Sequence, residues 1–331
     1  MNNMRGPYFH HFDPVLVDLS GVYLWWYGLG FTLGFLQMLL FLKRNRPSLG
    51  LNDSEVYALM LFFVTGVLLG GRLIEVTFDE WPFYRSHPGL IPAYWLGGMA
   101  THGLLLGAAV SISLFAALYR KSLLSLADAL VIPGALLLGL GRIGNFIDGQ
   151  IVGSVTDVWW AVKFPDAEHF RHPVVLYDGA KNLLLIPYLL WIRKTNRTPG
   201  AVAARFIFWY AFLRIFIDLF RDYPTHRLAL GTGQTLNIVM ASIGAVLLLR
   251  SAIRRRRLSR SGAREEDPPQ PAPSDSGRSS IYHRVGLAAI LLFCLLIPSN
   301  WTQDIPERYG KRHPGLRYSF LYPHIDTRPP R

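Results

Sequence analysis

Cysteine is all but missing from this chain. Cys294 is the only one among 331 residues, which rules out a disulfide within the chain, and neither a cysteine-based metal site nor a thiol nucleophile is expected. Charge is scarce as well. Asp, Glu, Lys and Arg make up 17% of the residues against 51% hydrophobic ones, too few for the two soluble domains that length alone suggests. A basic leader is lacking too. The first apolar run follows Phe12, Asp13, Pro14 and Asp18, so it is expected to stay in the mature protein. We find no internal repeat, no metal-ligand spacing, no phosphate loop and no serine nucleophile elbow. No metal and no cofactor are expected.

What is present in quantity is apolar sequence, with a mean hydropathy of +0.24. Crossing a bilayer takes roughly 20 apolar residues in a helix. Such runs lie at about 22–42, 55–76, 94–118, 123–141, 174–192, 201–219 and 236–249, with an eighth near 285–298. The fold class expected is therefore an all-α polytopic membrane protein, a seven-helix core plus an eighth, C-terminal transmembrane helix. Residues 1–252 are read as the membrane domain and 253–282 as a basic, then disordered, linker. The extra helix takes 283–300, and 301–331 form an outside tail.

The net charge of +12 comes mostly from short connections. Lys43, Arg44 and Arg46 follow the first run, and Arg120 and Lys121 the third. Arg193, Lys194 and Arg197 follow the fifth, and Arg250 with residues 254–257 the seventh. Every odd run thus ends in a basic loop, which the positive-inside rule places in the cytoplasm. The N-terminus and loops 78–93, 142–173 and 220–233 then lie outside. Basic loops at this position suit anionic membrane lipid, and no nucleic-acid partner is expected.

Polar residues inside such runs are costly and mark function. Residues 139–153, GLGRIGNFIDGQIVG, follow a run that reads as a helix body. They set Arg142, Asn145, Asp148 and Gln150 among five glycines, which let backbone approach a ligand or leave the helix. Tyr210, Arg214 and Asp218 stand at i, i+4 and i+8 on one helix face, with Arg221 close to it. Arg214 and Asp218 can pair, and the pair can also present guanidinium to phosphate. Arg142 and Arg214 together make a clamp for a phosphodiester headgroup, able to stabilise charge on a departing phosphate.

Other positions leave two readings open. His102, among Gly97, Gly98, Gly103 and Gly107, is either a packed core histidine or a proton acceptor, and Asp218 is a second candidate acceptor. Tyr27 is either part of an interfacial aromatic belt or a hydroxyl reaching the headgroup. Arg72 and Glu75 are spaced for an ion pair within a helix. Gly30 with Gly34, and Gly66 with Gly70, are spaced for close helix packing. Pro173, after Arg171 and His172, suits a first helical turn leading into Tyr177 and Asp178.

The stretch 141–153 resembles the signature of the bacterial prolipoprotein diacylglyceryl transferases, usually close to G-R-x-G-N-F-x-N-G-E-x-x-G. Other pieces resemble that family in the same order: Phe12-Asp13-Pro14, Trp26-Tyr27-Gly28, Gly70-Gly71-Arg72, Gly97-Gly98-Met99 with His102-Gly103, Arg171-His172 with Tyr177, Tyr210 with Arg214, and Gly233-Gln234 with Leu236. The resemblance implies transfer of a diacylglyceryl group from phosphatidylglycerol to the lipobox cysteine in the signal peptide of a prolipoprotein. The product is a thioether, glycerol phosphate leaves, and the setting is the bacterial inner membrane. By position, Arg142 and Arg214 would hold the phosphate, with Asn145 and Gly153 shaping its site. His102 and Tyr27 would line the reaction centre, Tyr210 would support it, and Asp218, Asp148, Gln150 and His172 would complete the substrate site.

The chain departs from that pattern at Asp148, usually asparagine, Gln150, usually glutamate, and Leu104, usually glycine. Asp178 and Asp218 are one methylene shorter than the usual glutamates. An amide at 150 cannot act as a base or balance an arginine. Asp148 offers a carboxylate two residues away, on a different side-chain direction. Two rival readings follow. One is a non-catalytic lipid- or lipoprotein-binding relative. The other is a transporter, which would carry an inverted repeat that this sequence lacks.

Overall fold

The computed structural model describes residues 7–196, 198–222, 232–261, 277–299 and 302–326. Arg197, Trp301, most of the expected outer loop 220–233 and the middle of the expected linker lie outside the described residues. The first half of the bundle is α1 (Trp26–Asn45), α2 (Asp53–Ile74), a short α3 (Trp81–Ser86), α4 (Thr101–Leu118) and α5 (Leu123–Ile147). The second half is α6 (Val174–Thr195), α7 (Ala201–Asp218), α8 (Thr232–Ser261), α9 (Gly277–Cys294) and a one-turn α10 (Ile305–Tyr309).

Helices open where the sequence supplies caps. Asn52 and Glu55 form a reciprocal capping box at α2, satisfying two backbone N–H groups. Ser122 caps α5. The start of α7 borrows its cap from α5, because Asp128 accepts from the backbone N–H groups of Gly200, Val202 and Ala203 at 2.7 to 2.9 Å. A carboxylate there also meets the positive end of the helix dipole.

α1, α2, α4, α5 and α8 are long and apolar enough to cross a membrane. α6 and α7 are helices at the expected places, but each carries charged residues along its length. The apolar part of α9 is short, Ile281–Cys294. It lies along α2 with Arg284 beside Asp53 at 2.8 Å, and its far end meets the start of α1, where the backbone N–H of Trp25, the residue before the helix, donates to the Leu295 carbonyl at 2.9 Å.

The basic connections meet at one end of the bundle. Lys121 lies 2.8 Å from Glu55, Arg46 2.6 Å from Asp53, and Arg193 donates to Asn45 at 2.7 Å. At the other end, β2 (Val15–Asp18) and β3 (Tyr23–Trp25) form an antiparallel pair. β1 (Tyr8–Phe9) pairs in parallel with β4 (Val162–Lys163). The tail closes over this end. Ile305, Tyr309, Leu316, Tyr322 and Ile325 bury against Val15, Tyr23, Trp25 and Leu96 in a core of their own.

Three expectations shift. The third helix starts at Thr101 rather than 94, because Gly97 and Gly98 have φ of 89° and 93°, which no helix continues. α8 runs to Ser261, past the expected end at 249, since its arginines and leucines are good helix formers. The glycines of 139–144 do not leave the helix at all. They lie inside α5, where a Cβ at Gly144 would stand 2.6 Å from the Tyr27 Cα and one at Gly141 would stand 2.8 Å from the Phe31 ring. These glycines let α1 press against α5.

The same device joins α2 to α4. A Cβ on Gly70 would lie 2.4 Å from the Gly103 carbonyl oxygen, and the approach at Gly107 to the Gly66 carbonyl is closer still. Gly107→Ala must push these backbones apart, and overpacking of this kind costs about 1–3 kcal/mol. We expect a lower melting temperature in detergent. An unchanged one would mean that the crossing is looser than described.

Candidate active site

Arg142 and Asn145 sit one turn apart near the end of α5, both buried. Gly179 on α6 gives Arg142 its path, since a Cβ there would lie 3.2 Å from the Arg142 Cβ. The guanidinium crosses to Asp178, with Nε 2.6 Å from Oδ2. Arg214, from α7, reaches the same oxygen through Nη1. Lys181, one turn further along α6, takes the other oxygen at 2.9 Å. Asp178 is 0% exposed and therefore joins three cations in one buried cluster.

The cluster extends on each side. Arg214 Nε lies 3.1 Å from Asp218 Oδ1, and Asn237 of α8 donates to Asp218 Oδ2 at 2.8 Å. Arg142 Nη1 donates to Asn145 Oδ1 at 2.9 Å, and Nη2 reaches Thr101 at 3.4 Å. Lys181 stands 3.7 Å above the Tyr210 ring. His102, at the start of α4, lies by the Asn237 side chain and in the field of Arg214, Asp218 and Arg142. Among the described residues of the cluster, three cations face two carboxylates, which leaves one positive charge. A buried site of that sign attracts an anion, and guanidinium N–H groups suit phosphate oxygens.

The structure thus brings together Arg142, Arg214, Asn145, Tyr210, Asp218 and His102. Tyr27 stands against the signature helix, with its ring 4.9 Å from that of Phe31. Gly153 forms an edge of its own. Its N–H donates to the His172 carbonyl at 3.0 Å, Ser154 donates to the Phe220 carbonyl at 2.8 Å, and a Cβ on Gly153 would meet both chains. The His172 ring pairs with the Tyr177 hydroxyl at 3.0 Å and packs on Phe220. α7 ends at Asp218, so Arg221 leaves the polar stripe and its backbone pairs with Gly153.

Asp148 and Gln150 turn towards the tail. Asp148 Oδ2 accepts from the Ser299 N–H at 3.0 Å, and Gln150 meets the Tyr309 hydroxyl at 3.2 Å and Arg308 at 3.3 Å. The carboxylate beside Arg142 is Asp178. Arg72 likewise does not turn to Glu75. Its guanidinium donates to the carbonyls of Leu90, Ile91, Ala93, Gly97 and Gly98, and so fastens the turn that leads into α4.

A family model described as prolipoprotein diacylglyceryl transferase matches residues 14–250, a span that holds every residue of this cluster. The chain belongs to the prolipoprotein diacylglyceryl transferase family. Among its relatives, a phosphatidylglycerol–prolipoprotein diacylglyceryl transferase of Mannheimia succiniciproducens is 36% identical over 260 residues, covering 75% of this chain and 96% of that protein. One of the same description from Nitrosomonas europaea is 38% identical, covering 72% and 89%, and one from Aromatoleum aromaticum is 37% identical, covering 72% and 94%. The matched family region stops short of α9 and the tail.

Sequence reading misses four members of the cluster as site residues: Asp178, Lys181, Asn237 and Thr101. Asp178 reads as part of a helix start or as a residue facing the bundle or the interface, with no site role, and Lys181 draws no notice. The signal is there, since a lysine three residues from an aspartate inside an apolar run is a buried pair on one face. Asn237 and Thr101 carry no comparable mark.

Asp178→Asn would leave three buried cations without their shared carboxylate. Breaking a buried ion pair from one side costs about 3–5 kcal/mol. The variant should melt earlier than the parent protein and transfer nothing; a parental melting temperature would show the cluster to be strongly hydrated. Asp148, one residue past α5, gives a pH test. Burial pushes its carboxyl from 3.8 up to about 8, against the opposing pull of the Ser299 N–H and Arg312. A raised value favours the protonated fold, so stability is full below about pH 4 and falls as pH rises towards 8. Asp148→Asn keeps the neutral form at every pH. Its melting temperature should exceed the parent's by a margin that widens from pH 5 to pH 8, and a constant margin would contradict the assignment.

Proposed function

We infer that this protein transfers the diacylglyceryl group of phosphatidylglycerol to the cysteine thiol in the lipobox of a prolipoprotein signal peptide. The observation that carries the reading is the pair of guanidiniums, Arg142 and Arg214, held on one buried carboxylate with net positive charge around it. Family membership supports the same reaction.

In this reading the phosphate of the lipid lies against Arg142 and Arg214, with Asn145 and Gly153 bounding it. The thiol sulfur attacks the glycerol carbon that bears the phosphate ester. A carbon–sulfur bond forms, the carbon–oxygen bond breaks, and glycerol phosphate departs with the electron pair. Charge gathers on the leaving phosphate, where two guanidiniums stabilise it more than in the ground state. The thiol gives up its proton to a base at the site, for which His102, beside Asn237, and Asp218, beside Arg214, are the two candidates. Tyr27 and Tyr210 line the centre, Asp218 and His172 flank the substrates, and Asp148 and Gln150, expected there too, act only through the tail residues they hold.

The protein is placed in the bacterial inner membrane with its N-terminus outside. The gathering of Lys121, Arg193 and Arg46 at one end of the bundle supports that orientation. In this reading residues 1–252 form the transferase domain and 301–331 an outer tail; the expected linker 253–282 and added helix 283–300 shift, since α8 continues to Ser261 and α9 is Gly277–Cys294.

The test uses purified protein in micelles containing phosphatidylglycerol, with a lipobox peptide as acceptor. The peptide should gain the mass of one diacylglyceryl group, and a Cys→Ser peptide should gain nothing. Arg142→Ala and Arg214→Ala should each slow transfer by at least about 100-fold, the usual cost of removing a group that stabilises transition-state charge. Parental rates in folded variants would remove these residues from the mechanism.

A further inference from the structure

We propose that the C-terminal segment completes the phosphate site, with Ser299 as the positioning residue that sets Arg142 through Asn145. The proposal rests on the reading of Arg142 as a phosphate ligand and extends it to residues beyond the family region, which ends at 250.

Asn145 links the two. Its Oδ1 accepts from Arg142 Nη1 at 2.9 Å, and its Nδ2 donates to Ser299 Oγ. An amide is a donor on one side and an acceptor on the other. The Ser299 hydroxyl takes the donor side and so leaves the carbonyl side for Arg142. Without that acceptor, the amide is free to rotate and to turn N–H groups towards a guanidinium that can only donate.

Ser299 is itself held at three atoms. Its N–H donates to Asp148 Oδ2 at 3.0 Å, its carbonyl accepts from Gln303 Nε2 at 2.9 Å, and its hydroxyl meets Asn145. It is 0% exposed, and Asn145 is 3% exposed. Gln303 Nε2 also donates to the Tyr309 hydroxyl at 3.0 Å, the same hydroxyl that Gln150 reaches. Arg312 closes the circuit by donating to the Asp148 carbonyl at 2.9 Å. The end of α9 brings this segment to the site by backbone contact, since a Cβ on Gly28 would clash with the carbonyls of Cys294 and Leu295. A chain of fixed groups therefore runs from the outer tail to the guanidinium.

The experiment uses the full-length protein in phosphatidylglycerol micelles, reading transfer to the lipobox peptide and, separately, the phosphatidylglycerol retained on purification. Ser299→Ala should lower turnover and lipid retention by about tenfold, the weight of one buried hydrogen bond. Ser299→Thr, which keeps the hydroxyl, should restore most of both. The decisive measurement is a double-mutant cycle. Ser299→Ala should add nothing to Asn145→Ala, whereas a merely structural role makes the two losses multiply, and that result overturns the proposal. Parental turnover in Ser299→Ala also overturns it. Where the alanine variant does not accumulate, Ser299→Cys, close in size but a poor acceptor, is held to the same criteria. A parent protein that transfers nothing would sink the transfer reading alone. Retention of lipid then decides the proposal, with parental retention in Ser299→Ala counting against it.

Discussion

Everything at the centre of this bundle depends on one carboxylate. Asp178 lies on α6, yet it holds Arg142 from α5, Arg214 from α7 and Lys181 from its own helix. Removing any ion from water is expensive, and three cations together would repel one another. A shared anion makes the arrangement tolerable and sets the two guanidiniums on one point. Because the cations outnumber the carboxylates nearby among the described residues, the cluster there is short of one negative charge. A phosphate would supply it.

The shortened side chains in this site become intelligible against that geometry. Aspartate at 178 brings its charge closer to its own backbone, and Gly179 beside it lets the arginine-bearing face of α5 come near. The approach of α5 to α1 through Gly141 and Gly144 serves a related end, since it lodges Tyr27 against the same helix. Small residues here do not make a loop. They draw helices together so that long cationic side chains can meet over a short span.

Much of this was legible in the sequence. Apolar runs marked where each long helix lies, because membrane length is a hard constraint, though the start of α4 and the end of α8 fall well away from the expected limits. Arg142 and Arg214 stood out, as charges inside such runs do. Harder to read were features made by backbone. Nothing in the spacing of Gly97 and Gly98 announces that Arg72 will bind the carbonyls around them, and an i+3 glutamate pointed the wrong way. Hardest of all was the tail, whose polar residues 299, 302, 303 and 304 are almost wholly buried. A stretch of serine, threonine, glutamine and aspartate reads as solvent-facing. Only the contacts made far away in sequence, at Asn145, Asp148 and Gln150, turn it into interior.

One small feature at the opposite end of the bundle has a mechanical meaning. Asp128 of α5 grips the first N–H groups of α7. From there to Arg142 along α5, and from Ala201 to Arg214 along α7, is roughly 20 Å in each case at 1.5 Å per residue. Two struts of nearly equal length are pinned to each other at the base and, at the top, each to Asp178 of α6. A frame of that kind resists shear, so the spacing of the two guanidiniums is settled before any lipid arrives.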